Sequence, residues 1–142
     1  MKGIADTGFL VAFANRRDLH FAWAFALAQK ISQPLLTCEA VLAEAAYHLQ
    51  DSALVLQFLQ TGLVRLAFDI ESHRPNLAEI ASRYADRQPD LADLCLIRMS
   101  ELHPQHPVIT VDGDFRIYRR NRKDVIPVIM PPDPSDSKSP RL

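Results

Sequence analysis

Residues 91 to 102 read LADLCLIRMSEL, apolar at nearly every position, with only Asp93, Arg98, Ser100 and Glu101 interrupting. A helix that is apolar all round must be covered all round, so this segment demands a central place with packing elements on each side. Asp90 precedes it and suits the N-cap position. The remaining segments divide into two kinds. Short apolar runs lie at residues 2 to 5, 34 to 37, 63 to 68, 107 to 111 and 125 to 130, and they read as strands, the last placed at an edge by Pro127. Between them lie helical patterns. One begins near Thr7 or Gly8 and runs through residues 9 to 14; Asp18 suits the cap of a second, over residues 19 to about 31. Cys38, Val41, Leu42, Ala45 and Leu49 form one helical stripe, Asp51 caps a helix reaching Thr61, and Pro75 opens another that ends near Tyr84. Helices alternating with short strands indicate an α/β domain whose short central sheet is mainly parallel.

The chain has 142 residues, of which 48% are hydrophobic, enough for one domain with a core of its own. Cys38 and Cys95 have apolar neighbours and no C-x-x-C spacing, so buried free thiols are expected instead of a disulfide or a cysteine zinc site. No apolar stretch approaches the ~20 residues of a membrane span, and no basic-then-apolar leader opens the sequence. A cytoplasmic protein without a membrane partner is expected. Residues 1 to 130 form the expected domain, and residues 131 to 142, dense in Pro, Ser and Asp, are expected to be disordered.

Two acids directly follow strands: Asp6 after the first and Asp112 after residues 107 to 111. Ligands of open parallel sheets bind outside the carboxyl ends of the strands, so these two acids point to one site. Asp93 lies in the first turn of the apolar helix, where the dipole favours a carboxylate but desolvation opposes it unless a positive charge is near. Glu44 flanks the stripe of its helix and can face the same rim. Taken singly, each acid has an ordinary reading: a cap for Asp6, a capping pair of Asp90 with Asp93, a solvated Glu44, an Asp-Gly turn at Asp112. Taken together, carboxylates converging without basic partners call for a hard divalent cation such as Mg2+ or Mn2+.

In order along the chain, the motifs are Ile4-Ala5-Asp6-Thr7-Gly8, Asp18-Leu19-His20, Val41-Leu42-Ala43-Glu44, Asp90-Leu91-Ala92-Asp93 and Thr110-Val111-Asp112-Gly113-Asp114-Phe115. The four main acids are separated by 38, 49 and 19 residues. This ordered set resembles the PIN domain, in particular the VapC type of toxin from toxin-antitoxin pairs. The resemblance implies a three-layer α/β/α fold and a metal-dependent endoribonuclease with Mg2+ or Mn2+ as cofactor. Asp6, Glu44, Asp93 and Asp112 then match the catalytic, metal-holding acids, while Thr110 and Asp114 match supporting positions. It further implies RNA as substrate, a cognate antitoxin as partner and a homodimer, for which Phe21, Trp23, Phe25, Leu54 and Phe58 are candidate contacts.

The overall formal charge is −1, yet residues 115 to 123 hold five cations and no acid. Either a solvated face or a grip on a polyanion fits this run; with the ribonuclease resemblance, Arg116, Arg119 and Arg120 become the expected RNA-phosphate contacts. Rival readings fare worse. Asp-Thr-Gly also marks aspartic proteases, whose fold is almost all β, and a phosphoacceptor receiver would place a second acid beside Asp6. A PIN-like module that binds RNA or a partner without catalysis is the remaining alternative, opposed by the presence of all four acids. His20 opens an apolar helix and reads as structural, and His103 and His106 fall in a proline-flanked loop.

Overall fold

A computed structural model of the chain describes residues 1–133. Five short strands, β1 (Ile4–Ala5), β2 (Leu35–Thr37), β3 (Val64–Leu66), β4 (Val108–Ile109) and β7 (Val128–Ile129), form one sheet in the order β3-β2-β1-β4-β7. Every pairing in it is parallel, with Ile4 opposite both Leu36 and Val108, and Ala5 opposite Ile109. Two further strands, β5 (Arg119–Arg120) and β6 (Asp124–Val125), make a separate antiparallel ribbon.

Six α-helices connect the sheet: α1 (Thr7–Ala14) and α2 (Phe21–Ala28) lead from β1 to β2, and α3 (Glu39–Leu49) and α4 (Ser52–Gln60) from β2 to β3. Then α5 (Arg74–Arg83) and α6 (Leu91–Leu102) lead from β3 back past β1 to β4. Right-handed crossovers put the first four helices on one face and the last two on the other once the direction of travel reverses. The packing agrees: α1 lies on α2 and α3, α3 on α4, α5 on α6, and α6 against β1. The expected three-layer arrangement is therefore the one observed, and the reversal puts a topological switch point between β1 and β4.

The all-round apolar segment is α6, with Ala92, Cys95, Leu96, Ile97, Met99 and Ser100 buried and the Asp90 carboxylate capping the Asp93 amide at 2.8 Å. Asp51 caps α4 through the Leu54 amide. Cys38 and Cys95 are free and buried. Among the described residues no helix is long and apolar enough to cross a membrane.

Four local expectations are corrected. Asp18 does not cap α2: its carboxylate accepts from the His20 amide two residues on, so the chain turns first and the helix starts at Phe21 and stops at Ala28. The 63 to 68 run is a strand only over Val64–Leu66, and as the edge strand beyond β2 it leaves Leu66 40% exposed. The 125 to 130 run is two strands, because Ile126 turns into the core while Pro127, lacking an N–H, serves β4 only through its carbonyl. Phe58, a candidate dimer contact, is 4% exposed in the core, edge-on to Phe13, whereas Phe25 stays 48% exposed. The expected disordered tail lies outside the described residues from position 134 onward.

At Gly8, in the first turn of α1, an added Cβ would come within 2.3 Å of Val111 Cγ2, and Val111 is β-branched with little freedom to rotate away. Gly8→Ala should therefore cost about 1–3 kcal/mol from overpacking, even though alanine has the better helix propensity by about 1 kcal/mol. Val111→Ala should return much of that loss. Urea unfolding of the two single variants and the double variant checks this, and strictly additive effects contradict the clash.

Candidate active site

Because β1 and β4 are neighbours in the sheet, the residues just beyond them emerge side by side. Asp6 still belongs to the ladder, its amide donating to Ile109 O at 3.0 Å, and its side chain then becomes the N-cap of α1. One carboxylate oxygen accepts from the Thr7 amide at 2.7 Å, and the other accepts from Thr110 Oγ1 at 2.6 Å. Thr110 is completely buried, and its hydroxyl also accepts from the Asp112 amide at 2.9 Å. One hydroxyl thus donates to one acid and accepts from the backbone of the next, tying the two strand ends together. Asp112 caps the 3-10 turn Gly113–Arg116 by accepting from the Asp114 amide.

Glu44 arrives from α3, half-buried, with Oε1 accepting from Thr7 Oγ1 at 2.8 Å. Asp93 arrives from the first turn of α6, where Tyr118 OH donates to Oδ2 at 3.3 Å. Asp6, Glu44, Asp93 and Asp112 together line one cavity of about 340 Å³, with Thr7, Gly8, Val11, His48, Asp90 and Val111 completing its wall. All four expected acids are therefore brought together. Thr110 lies beneath them as their hydrogen-bonding support. Asp114 is not in the wall; it faces Arg87 at 3.9 Å.

The expected cationic residues are placed differently from one another. Arg119 spends its guanidinium on the carbonyls of Arg116, Ile117 and Tyr118, and Arg120 on those of Ser100 and Pro104 at the end of α6. Arg122 pairs with Glu79 at 3.0 Å. Arg116 is exposed and donates to Met130 Sδ.

Four residues of the site escaped the sequence reading. Thr7 holds Glu44, and Tyr118 holds Asp93 from 25 positions away with no local signal to mark it. His48 follows Glu44 by four residues, the spacing that places two side chains on one helix face, and that signal was present. Asp90 was read only as a cap, and it both caps α6 and lines the cavity.

The electrostatics follow from five acids around one cavity with no Lys or Arg among its described lining residues. Burial pushes the Asp6 carboxyl up to about 6; its bonds to Thr110 and Thr7 oppose this, and the charges of Asp112 and Glu44 add to it. Burial, helped by Asp90, Asp6 and Asp112, pushes Asp93 up to about 8 against the Tyr118 bond. Glu44 is raised by burial and by Asp90, with the Thr7 bond opposing. Hard carboxylate oxygens without an internal counterion fit Mg2+ or Mn2+ by donor chemistry. Among the described residues no three His, Cys, Asp or Glu groups are yet drawn close enough to hold an ion.

Compared with known families, the chain matches the PIN domain over residues 4–121. It belongs to the PIN domain family. The match runs from β1 through β5 and takes in every acid of the cavity. PIN domains are in general nucleases and typically use divalent metal ions. No curated protein matches the chain.

Asp6 and Asp93 bind protons more tightly in the folded chain than in the unfolded one, so their contribution to stability is present below the ordinary carboxylate pKa of 3.8 and is lost as pH rises toward about 6 and about 8. In EDTA, Asp93→Asn should raise Tm by a few degrees at pH 8, and the gain should shrink toward pH 4. Thermal unfolding across that range checks the sign; a variant less stable than the parent at pH 8 contradicts it.

Proposed function

We propose that this PIN domain is a divalent-ion-dependent endoribonuclease, acting as the toxin of a VapBC-like toxin-antitoxin pair. The observation that carries the reading is the convergence of Asp6, Glu44, Asp93 and Asp112 on one cavity at the switch point between β1 and β4, with none of them within 4.0 Å of a Lys or Arg nitrogen among the described residues. Like charges gathered in this way raise one another's pKa, which is unfavourable for the free protein and favourable for capture of a cation.

In this reading Asp6 and Asp93 hold the ion, and Asp112 and Glu44 complete the site or orient the attacking water. Asp6 is fixed at both oxygens by Thr7 and Thr110, so its carboxylate is held in one orientation with one lone pair on each oxygen still available. Glu44, held by Thr7 at one oxygen, lines the same cavity beside Asp90. When bound, the ion supplies a lowered pKa for that water and polarises the phosphodiester. In this reading the attacking water's oxygen would bond to phosphorus as the bond to the leaving sugar oxygen breaks, Glu44 or Asp112 would take the water's proton, and the leaving oxygen would take a proton from solvent. Proteins that cleave phosphodiesters need cations to hold the flanking backbone, and the acidic cavity itself repels it. Arg116 is the member of the 116 to 123 run best placed for that task.

A cognate antitoxin would suit the same cavity by offering an Arg or Lys to the unpaired carboxylates, in competition with both metal and RNA. The exposed Phe25 suits a homodimer contact.

Asp6→Asn removes the charge and leaves one acceptor oxygen where Asp6 uses two, the relief of buried charge offsetting the bond it loses. It should reduce magnesium-dependent RNA cleavage by at least about 100-fold, while circular dichroism and metal-free Tm remain at or above those of the parent. Cleavage within about 3-fold of the parent would exclude Asp6 from the chemistry. Strong expression of the chain alone should arrest growth, and Asp6→Asn should relieve the arrest; growth indifferent to both argues against the toxin role.

A further inference from the structure

Cleavage of a phosphodiester leaves an alkoxide oxygen that must gain a proton, and a donor held beside it speeds the step by about 10²–10⁴-fold. Carboxylates engaged on an ion have no proton to give. Besides its acids, the wall of the cavity is made by Thr7, Gly8, Val11, His48 and Val111. The Thr7 hydroxyl already donates to Glu44 at 2.8 Å, and Asp90 accepts from the Asp93 amide as the cap of α6. His48 is the proton-bearing side chain left uncommitted among the described lining residues.

His48 stands one turn after Glu44 on the same face of α3, in the last turn, where the carbonyl end of a helix favours positive charge. Its ring is exposed and edge-on to Tyr47 at 5.6 Å between centroids, and neither of its nitrogens is within 4.0 Å of a carboxylate among the described residues. It is near the acids without being tied to one. Its charge reaches Glu44, where it opposes the upward push of burial and of Asp90.

The sheet then orders the cavity. Asp6 follows β1, α3 follows β2 and Asp112 follows β4, and these strands are neighbours in the order β2-β1-β4. Glu44 and His48 therefore enter from one side of Asp6, and Asp112 from the other. In an in-line displacement the attacking and leaving oxygens lie on opposite sides of phosphorus. A phosphate centred over Asp6 has Asp112 toward one of those oxygens and His48 toward the other.

We propose that His48 is the catalytic residue that gives a proton to the leaving sugar oxygen, with the attacking water entering from the Asp112 side. The proposal rests on the nuclease reading and replaces solvent with His48 as the source of that proton. The water oxygen bonds to phosphorus as the bond to the sugar oxygen breaks; one proton passes from the water to Asp112 and one from the His48 imidazolium to the sugar oxygen. The products are a phosphate monoester and a free hydroxyl. Exchange with solvent then returns a proton to the exposed ring and removes one from the carboxyl, so the cycle closes.

The test separates leaving-group protonation from every other role of the side chain. His48→Gln keeps a polar group able to hydrogen-bond and removes the transferable proton. With Mn2+ present, its kcat on RNA should fall about 100-fold, while KM and the calorimetric affinity for Mn2+ stay within about 3-fold of the parent. RNA is then prepared with sulfur in place of a bridging oxygen, at the 3′ and the 5′ position in turn, because a thiolate departs without needing a proton. On the isomer whose cleavage releases a thiol, His48→Gln and the parent should cleave within about 3-fold of each other. Asp112→Asn, on the water side, should lose activity on the oxygen and sulfur substrates alike. In the Asp6→Asn background with Mg2+, the His48 ring resonances, identified by their absence from His48→Gln, should shift when RNA is added, and those of His103, outside the cavity, should not. Unchanged kcat in His48→Gln, a loss that sulfur does not relieve, or unmoved His48 resonances overturns the assignment while cleavage by the parent leaves the nuclease reading standing. Rescue of Asp112→Asn by sulfur overturns the direction of attack, and no cleavage of RNA by the parent overturns both readings.

Discussion

Ile4 pairs with Val108 and Ala5 with Ile109, and immediately beyond that register the Thr110 hydroxyl reaches across to the Asp6 carboxylate. This short parallel contact between the first strand and one more than a hundred residues later decides where everything else can go. It closes the longest loop in the sheet, places two acids side by side at the carboxyl ends of their strands, and fixes the switch point around which the remaining helices deliver theirs. Without it Asp6 and Asp112 would be an ordinary helix cap and an ordinary turn residue. With it, each cap also becomes a cavity wall.

The same contact explains why the site is electrostatically unfavourable in the free protein. Asp6 is buried beside Asp112 and Glu44, and Asp93 is raised still further, first by burial and then by three carboxylate neighbours. Thr7, Thr110 and Tyr118 offset part of the cost by donating hydrogen bonds to Glu44, Asp6 and Asp93 respectively. These donors are neutral, so they orient the carboxylates without cancelling their charge. A lysine or arginine in their place would stabilise the fold and close the site to a cation. The chain instead keeps its guanidinium groups occupied nearby, Arg119 on its own turn and Arg120 on the last turn of α6, where they cap helical carbonyls.

Much of the fold was legible because its signals were local. The apolar surface of residues 91 to 102 required a central helix, and Asp90 and Asp51 marked helix starts that the structure keeps. The α2 start differs because Asp18 satisfies a turn as readily as a helix cap, and its carboxylate is spent on the His20 amide two residues on. Edge strands were overextended for a similar reason: the 63 to 68 and 125 to 130 runs carry strand-forming residues, but neighbours pair with only part of each. Asp6, Asp93 and Asp112 were found because each follows or opens an element, Glu44 because it flanks the stripe of its helix, and the order of all four along the chain could be compared with a known family. Thr7 and Tyr118 depend on contacts that link distant segments, whereas His48 shares a helix face with Glu44 and was legible from that spacing. The basic run shows the limit of composition: it locates positive charge and does not reveal which guanidinium groups are already bonded to backbone.

The central claim is that the gathered carboxylates are poised for a divalent cation that displaces protons. Calorimetric titration of the metal-free protein with Mn2+ at pH 7, repeated in buffers of different ionisation heats, measures binding and proton release together. Because Asp93 is raised to about 8, binding should release close to one proton per ion, and the release should fall as the starting pH is raised above that value. Saturable binding with no proton release at pH 7, or no binding at all, would contradict the account.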